Sequence, residues 1–376
     1  MKKHILIPFI ILTALLLQSC SYTPYGFLKR EKKNNELPAL ASPDPLQGAI
    51  PSAKPQSVIF IIADGAGIGQ FTLAYYTLPF FAPARFDHVG LSTTHPQDGA
   101  GKVTDSAASG TALATGQKTY NSAISVDAQQ QPLKTIAEWA IESGKATGLV
   151  ATATISHATP AVFAAHVPHR YDEPEIARQM AHSQVQVLFG GGGQFWPDSL
   201  RQQLQKQQVQ VLTDLNSPID YDRRVVGLFA EGALPPAHEN RQPSTVAMTR
   251  RAIEILEKDE DGFFLMVEES QIDWAGHANS ATFMSAEMAS LNELVHYCLD
   301  YQSEHPEVLV LLTADHETGG TAVADKEPGV LNIEFTSMNH SANMVPVWAT
   351  GPGADAFDTV LDNTEIGRLL IDFVRP

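Results

Sequence analysis

Cysteine is scarce in this 376-residue sequence, which contains only Cys20 and Cys298. Small exported domains that are held together by disulfides need several cysteines, so this chain must fold around a buried core instead. Cys298 stands in the helix-like stretch LVHYCLDY and is expected to be a buried small hydrophobe.

Positive charge is also scarce, because 25 Lys and Arg residues face 42 Asp and Glu residues, for a formal net charge of −17. This balance argues against binding of nucleic acid or anionic lipid through charge. It is equally unexpected for an enzyme with anionic substrates, unless bound cations reverse the field locally.

Apolar runs long enough to span a bilayer are absent, and the N-terminal run from Ile5 to Leu17 is too short. Lys2 and Lys3 precede that run, as in a signal peptide, which we place at residues 1–19. The segment ends in LLQSC and resembles a bacterial lipobox, which would make Cys20 a lipidated N-terminus on the periplasmic side, with Ser21 favouring the outer membrane. The alternative is an ordinary signal peptide with Cys20 incidental.

Proline punctuates residues 20–55, where no apolar periodicity is found, so this segment is predicted to be a disordered, Pro-rich tether. The remaining residues, 56–376, suffice for one large α/β domain or two smaller ones.

Near-continuous Val, Ile and Leu runs alternate with helical patterns along this region. Such runs predict a mostly parallel sheet that is covered by helices on both faces. The runs are SVIFIIAD, GKATGLVAT, VQVLFGGGG, VQVLT, VVGLFA, GFFLMVEE, VLVLLTAD and VPVWATG.

Polar side chains stand where four of these runs end: Asp64, His157, Glu268, and the pair Asp315 and His316. Ligands of open α/β sheets bind beyond the carboxyl ends of the strands, so these residues are expected at one edge. The loop ADGAGIGQ is not a dinucleotide fingerprint, because Gln70 replaces the third glycine and the region about 20 residues further on, FDHVG, is predicted to be a loop.

The stretch VTDSAASGTA places Asp105 beside Ser106 at a predicted helix start. Both residues are ordinary helix caps, but a serine there can also be a nucleophile facing an anion. Asp273 and His277 are four residues apart on one predicted helical turn, a spacing that suits Zn²⁺ but is weak evidence alone.

Together, these motifs resemble those of the alkaline phosphatases, in the same chain order. The matching stretches are VTDSAASGTA, SHATPA, HVPHR, VEESQIDWAGH and TADHETGG. The resemblance implies a three-layer α/β sandwich with a mostly parallel central sheet, and residues 56–376 as one catalytic domain. Many relatives carry an inserted crown in the region between His316 and His340, but this segment is short here, which predicts a minimal crown insertion.

The resemblance also implies a role for each matching residue. Ser106 would be the nucleophile of a phosphoseryl intermediate, and Arg170 would clamp the phosphate, oriented by Asp105. One zinc would take Asp273, His277 and His340, and the other would take Asp64, Asp315, His316 and the Ser106 oxygen. A third site, usually magnesium, would take Asp64, Thr159 and Glu268.

Two positions differ from the best-known enterobacterial pattern. His157 stands where an aspartate is common beside the third metal, and Trp274 stands where a lysine can occur. An imidazole there can ligate zinc or cobalt, so the third ion is expected to depend on His157.

Other functions compete with phosphate monoester hydrolysis. A phosphodiesterase of the same superfamily stays a possible interpretation. A sulfatase and a Gly-x-Ser-x-Gly esterase are excluded, because the sequence around Ser106 contains the motif of neither class. A non-catalytic lipoprotein that binds metal or phosphate would lack the nucleophile or part of the ligand set. The expected partners are small phosphate monoesters, and no nucleic-acid binding is expected. The membrane would be reached only through the N-terminal lipid, and the protein could form a homodimer.

Overall fold

The computed structural model describes residues 50–97, 99 and 101–376. The predicted signal peptide, Cys20 and most of the tether lie outside the described residues and stay predictions. Within the described ranges, no helix combines the length and the apolarity that crossing a bilayer requires.

A ten-stranded sheet forms the centre of the described region. Its strands are β1 (Ser57–Ala63), β2 (His88–Thr93), β3 (Ala146–Thr154), β4 (Val187–Gly191), β5 (Gln210–Leu212), β6 (Val225–Leu228), β7 (Phe263–Glu269), β8 (Val308–Thr313), β13 (Val345–Thr350) and β14 (Val360–Asp362). They lie in the order β14-β2-β13-β8-β1-β7-β3-β4-β6-β5. Most neighbours run parallel, whereas β13 is antiparallel to both β8 and β2.

Helices cover both faces of the sheet, which confirms the predicted sandwich. They are α1 (Ile68–Thr77), α2 (Ser106–Thr115), α3 (Ile136–Glu142), α4 (Ala158–Ala161), α5 (Glu173–His182), α6 (Asp198–Lys206), α7 (Thr245–Leu256), α8 (Gln271–His277), α9 (Ala281–Glu304) and α10 (Asn363–Val374).

Strand β1 shows why its sequence is apolar throughout. Phe60 and Ile62 pack into the core layer beneath α2, α3 and α10, and Ile59 and Ile61 pack into the opposite layer beneath α1, α7 and α9. Successive side chains of a strand point to opposite faces, so a strand that is covered on both sides needs no polar positions.

The segment between His316 and His340 is small, as its length in the sequence predicts. It contains the antiparallel hairpin β10 (Thr321–Glu327) and β11 (Val330–Phe335), and a short bridge joins β9 (Glu317–Thr318) to β12 (His340–Ser341).

One local prediction is wrong. The residues around FDHVG were predicted to form a loop, but His88–Thr93 form β2, hydrogen-bonded between β13 and β14. A strand of six residues with intermediate burial on alternate positions lacks the long apolar run by which the other strands were found.

Candidate active site

The predicted polar residues gather at one edge of the sheet because β8, β1, β7 and β3 are adjacent and parallel. Their carboxyl ends therefore meet on the same side. Asp64 follows β1, Asp315 and His316 follow β8, His157 follows β3, and Glu268 is the penultimate residue of β7.

Asp273, His277 and His340 form the most exposed of three groups. The Nε2 atoms of His277 and His340 each lie 3.4 Å from Asp273 Oδ1 and 3.2 Å from each other. Their Nδ1 atoms contact backbone carbonyls, at 2.6 Å from Met338 O and 2.8 Å from Thr104 O. These outer contacts hold both Nε2 atoms towards the centre of the group, as around many metal-binding histidines.

The second group is fully buried and consists of Asp64, Asp315 and His316. His316 Nε2 lies 3.5 Å from Asp64 Oδ1 and 3.3 Å from Asp315 Oδ2. The same nitrogen lies 3.2 Å from the hydroxyl oxygen of Ser106. His316 also lies close enough to Asp273 and His340 to complete a ligand triad with them, so it adjoins both groups.

The third group contains Asp64, His157 and Glu268, whose ligand atoms lie within 4.8 Å of one another. Helix α4 begins directly after His157, and Thr159 is buried in its first turn. Asp64 belongs to two groups, as the resemblance implies for the ligand shared between two ions.

Several oxygens in these groups are buried without a hydrogen-bond partner among the described residues. Buried polar atoms are almost always paired, so a cluster of unpaired ones calls for an explanation. Carboxylate and hydroxyl oxygens beside imidazoles are the donor set that Zn²⁺ and Mg²⁺ accept, so the residues fit divalent cations. The atoms are both carboxylate oxygens of Asp64 and of Glu268, Oδ2 of Asp315 and Oγ1 of Thr159.

We call the three groups together the metal-type cluster, and its electrostatics agree with this fit. Burial, followed by the charge of Asp315, raises the pKa of Asp64 well above its usual value. Burial likewise raises the pKa of Glu268 to about 7 and that of Asp315 to about 6. Desolvation and mutual repulsion oppose ionisation of such carboxyls, and a bound cation removes that opposition.

Ser106 is the first residue of α2, and Asp105 is its N-cap, as predicted. Asp105 Oδ1 accepts a hydrogen bond from Ala108 N at 2.9 Å. Every residue of α2 is buried, and small side chains such as Ala107 let its N-terminus approach the sheet edge closely. The capping and nucleophile interpretations are therefore compatible, because Asp105 caps the helix while Ser106 faces the metal-type cluster.

Arg170 lies next to Asp105 and His157, and its side chain is 12% exposed. Its Nη1 lies 3.2 Å from Asp105 Oδ2, and that oxygen also accepts from Ser122 N at 3.0 Å. Burial alone would lower the pKa of Arg170, but Asp105 and Asp64 outweigh it and raise the pKa above its usual value. Asp105 thus holds a fully charged guanidinium beside Ser106.

His157 contacts Arg170 as well as the third group. Arg170 Nη2 lies 3.3 Å from His157 Nε2. A guanidinium only donates, so Nε2 must accept, and the proton of a neutral ring then sits on Nδ1. Burial, and then Arg170, lowers the pKa of His157 to about 3, so the ring is neutral. His157 can serve as a direct ligand through Nδ1 only if this proton leaves Nδ1.

Glu268 and Glu269 are separated by the pleat of β7. Glu268 faces Asp64, whereas Glu269 forms an ion pair with Arg241 Nη1 at 2.5 Å. The other guanidinium nitrogen of Arg241 pairs with Glu287, also at 2.5 Å. Of the two acids, therefore, only Glu268 joins the predicted ligands.

Thr318 is a contact residue that the sequence interpretation missed. Its hydroxyl donates to Asp273 Oδ1 at 2.5 Å and lies 3.2 Å from His316 Nδ1. The residue stands within TADHETGG, so its proximity along the chain to His316 was the available signal. Gly65 permits the same packing, because a Cβ there would lie only 2.6 Å from the Cα of Asp273.

Comparisons with known proteins agree with this geometry. Residues 56–333 match the family model described as alkaline phosphatase. Alkaline phosphatase 3 of Bacillus subtilis is 39% identical over 85% of this chain and 92% of its own length. The alkaline phosphatase from the Antarctic bacterium TAB5 is 34% identical, with a TM-score of 0.81 over 85% of this chain and 98% of its own. A histidine-to-aspartate variant of that enzyme, solved with Mg bound in the M3 site, has a TM-score of 0.80 at 34% identity over 86% of this chain and 98% of its own.

Proposed function

This chain belongs to the alkaline phosphatase family and is a metal-dependent phosphomonoesterase, and we propose that it hydrolyses small phosphate monoesters through a phosphoserine on Ser106. The observation that carries this proposal is the position of the Ser106 hydroxyl, 3.2 Å from His316 Nε2 in the buried cluster and beside the Asp105–Arg170 pair.

We assign two zinc sites and one magnesium-type site to the three groups. Asp273, His277 and His340 would hold the first ion, Asp64, Asp315 and His316 the second, and Asp64, Glu268 and Thr159 the third, with His157 beside it. Bound divalent cations would supply the positive charge that ionises the serine hydroxyl and stabilises the attacking and leaving oxygens. The proposal also accounts for an anionic substrate in an acidic protein, since three divalent cations outweigh four carboxylates.

The residues of the chain then divide the reaction between them. The Ser106 oxygen forms a bond to phosphorus while the bond between phosphorus and the ester oxygen breaks, and the alcohol leaves. A water oxygen then bonds to phosphorus as the serine–phosphorus bond breaks, which releases inorganic phosphate and restores Ser106. Arg170 presents a planar pair of N–H donors to two phosphate oxygens throughout, and Asp105 keeps the guanidinium in place.

The N-terminus of α2 contributes to the same step. Ser106 is the first residue of a ten-residue helix, whose first backbone N–H groups have no partner within the helix. These donors and the helix dipole favour an anion at this position. Asp105 occupies one of them, through Ala108 N.

The proposal is tested by comparing two nitrophenyl esters before and after metal removal. We expect rapid hydrolysis of 4-nitrophenyl phosphate, much slower hydrolysis of bis(4-nitrophenyl) phosphate, loss of both after chelation, and recovery after zinc and magnesium are restored. Preference for the diester would favour the phosphodiesterase alternative. Full activity in protein shown by elemental analysis to be metal-free would overturn the metal assignment.

A further inference from the structure

A line of hydrogen bonds connects the C-terminal helix to the metal-type cluster without touching any proposed ligand side chain. It begins at Lys118, whose Nζ lies 3.0 Å from Asp362 Oδ2 and donates to Asn363 Oδ1 at 2.5 Å. It continues from Asn363 Nδ2 to Ser109 Oγ at 2.9 Å, and from Ser109 Oγ to the backbone oxygen of Asp315 at 2.5 Å. We call Lys118, Asn363 and Ser109 the relay.

The direction of each hydrogen bond in the relay follows from the chemistry of its groups. An ammonium only donates, so the amide oxygen of Asn363 must face Lys118 and its nitrogen must face Ser109. Ser109 therefore accepts from Asn363, and its single hydroxyl proton is committed to Asp315. Asn363 and Ser109 are each only 1% exposed, so water does not compete for these bonds.

Ser109 occupies a particular position relative to the nucleophile. It lies one turn after Ser106 on α2, and its hydroxyl bridges that helix to the loop that carries Asp315 and His316. Asp315 Oδ1 is held separately by Gly65 N at 3.2 Å and by His316 N at 2.9 Å, so that Oδ2 stays unpaired.

We propose that Ser109 and Asn363 are positioning residues that set the distance between the Ser106 oxygen and the Asp315–His316 ligand pair. This inference rests on the proposed function, because it assigns these residues to the alignment of the same nucleophile and metal ligands. Neither residue touches the reacting atoms. Small misplacements of a nucleophile cost large factors in rate, so a relay that defines this distance is expected to affect turnover more than substrate binding.

Two variants interrupt the relay at different points. Ser109→Ala removes the bridge itself. Asn363→Asp keeps the size of the side chain and its contact with Lys118, but replaces the donor nitrogen with an acceptor, which draws the Ser109 proton away from Asp315. Each is expected to lower kcat about tenfold with KM within about twofold, an alignment loss of about 1.4 kcal/mol.

The readout that a merely structural role would not move is the electronic absorption spectrum of the cobalt-substituted holoenzyme. The d–d bands report ligand geometry directly and do not depend on turnover. We expect both variants to shift these bands, and the double variant to show the same shift and the same tenfold loss as Ser109→Ala alone, since Asn363 acts through Ser109.

Thr111→Val is the matched control, because it deletes another fully buried hydroxyl of α2, one that bonds Ala123 O and Ser125 N instead of the cluster. It is expected to lower Tm while leaving kcat and the cobalt spectrum unchanged. Wild-type kcat and spectra in both relay variants, or losses that multiply to about a hundredfold in the double variant, would overturn the relay. Absence of metal-dependent phosphatase activity in the wild type would instead count against the proposed function, so the two failures are distinguishable.

Discussion

At the scale of the residue, we propose that Arg170 contributes to phosphate binding more than to bond breaking. Its guanidinium is held by Asp105 at 3.2 Å and does not contact Ser106 in any hydrogen bond of the described region. In the proposed mechanism, the metal-type cluster ionises the nucleophile, and Arg170 recognises the phosphate oxygens.

Arg170→Ala should accordingly weaken phosphate binding more than it slows turnover. Charge-assisted hydrogen bonds are worth about 1.5–3 kcal/mol each, so we expect the inhibition constant of inorganic phosphate to rise at least about tenfold. Steady-state kinetics with added phosphate measure this directly. Arg178→Ala, at an exposed arginine of α5 paired with Glu175, is the control. An unchanged inhibition constant in Arg170→Ala would place the residue outside the phosphate site.

His157→Asp should tighten the third site for magnesium. The substitution replaces a neutral ring by a carboxylate, and magnesium prefers oxygen ligands. Wild-type and variant protein, dialysed and held at fixed zinc, are titrated with magnesium while activity and heat are recorded. We expect a lower magnesium requirement in the variant, and no change in His182→Asp, which makes the same substitution at an exposed position. Superimposable curves for His157→Asp and wild type would remove His157 from control of this site.

The proposed ligands could be predicted from sequence because they stand in motifs that resemble those of a known family, and because Asp64, Glu268 and the Asp315–His316 pair stand where apolar runs end. The contact of Thr318 with Asp273 and that of Asn363 with Ser109 could not, because these partners lie 45 and 254 positions apart along the chain. Only the packing of separate elements brings such groups together. The contact of His157 with Arg170 likewise follows from the loops after β3 and not from spacing.

At the scale of the element, charged residues from a distant part of the chain hold the start of α10. Asp362, the N-cap of α10, accepts from Thr364 N, and its Oδ2 lies 3.0 Å from Lys118 Nζ and 3.3 Å from His95 Nε2. Burial alone would raise the pKa of Asp362, but the hydrogen bond with His95, the charge of Lys118 and the Thr364 contacts hold it well below its usual value.

This depressed pKa predicts how stability depends on pH. The ionised carboxylate stabilises the folded state fully above the unfolded pKa of about 4, and that contribution is lost as the pH falls below it. Asp362→Asn should lower the free energy of unfolding at pH 7 by about 2 kcal/mol. It should also flatten the decline of stability between about pH 4 and pH 2. Urea unfolding across this range measures both. Parallel curves for wild type and variant would contradict the assignment.

The strands illustrate which elements a sequence reveals. The central strands β1, β7 and β8 are buried on both faces, so their apolar runs are unmistakable. Strand β2 was predicted as a loop, because His88 and Val89 remain partly or fully exposed and its strand structure depends on pairing with β13. Elements that owe their form to a partner strand carry a weaker local pattern.

At the scale of the whole molecule, the proposed cation sites couple metal binding to folding, because they contain the buried, unpaired oxygens of Asp64, Glu268 and Asp315. Cations that bind only the folded chain stabilise it by mass action. Removing them should lower Tm by several degrees, and restoring zinc should recover it, as measured by scanning calorimetry. Glu254→Gln, which changes a partly exposed carboxylate on α7, should leave this metal dependence intact. A Tm that does not respond to chelation would show that the cluster is stable without cations.

The central claim is that Ser106 becomes phosphorylated during turnover. The most direct test is to quench wild-type holoenzyme in acid during hydrolysis of 4-nitrophenyl phosphate and to map the phosphate by fragment-ion mass spectrometry of the peptide that contains Ser106 and Ser109. We predict phosphate on Ser106 alone, its absence in Ser106→Ala, and a fall of several orders of magnitude in the turnover of that variant. Phosphate on another residue, or near-wild-type turnover in Ser106→Ala, would contradict the account.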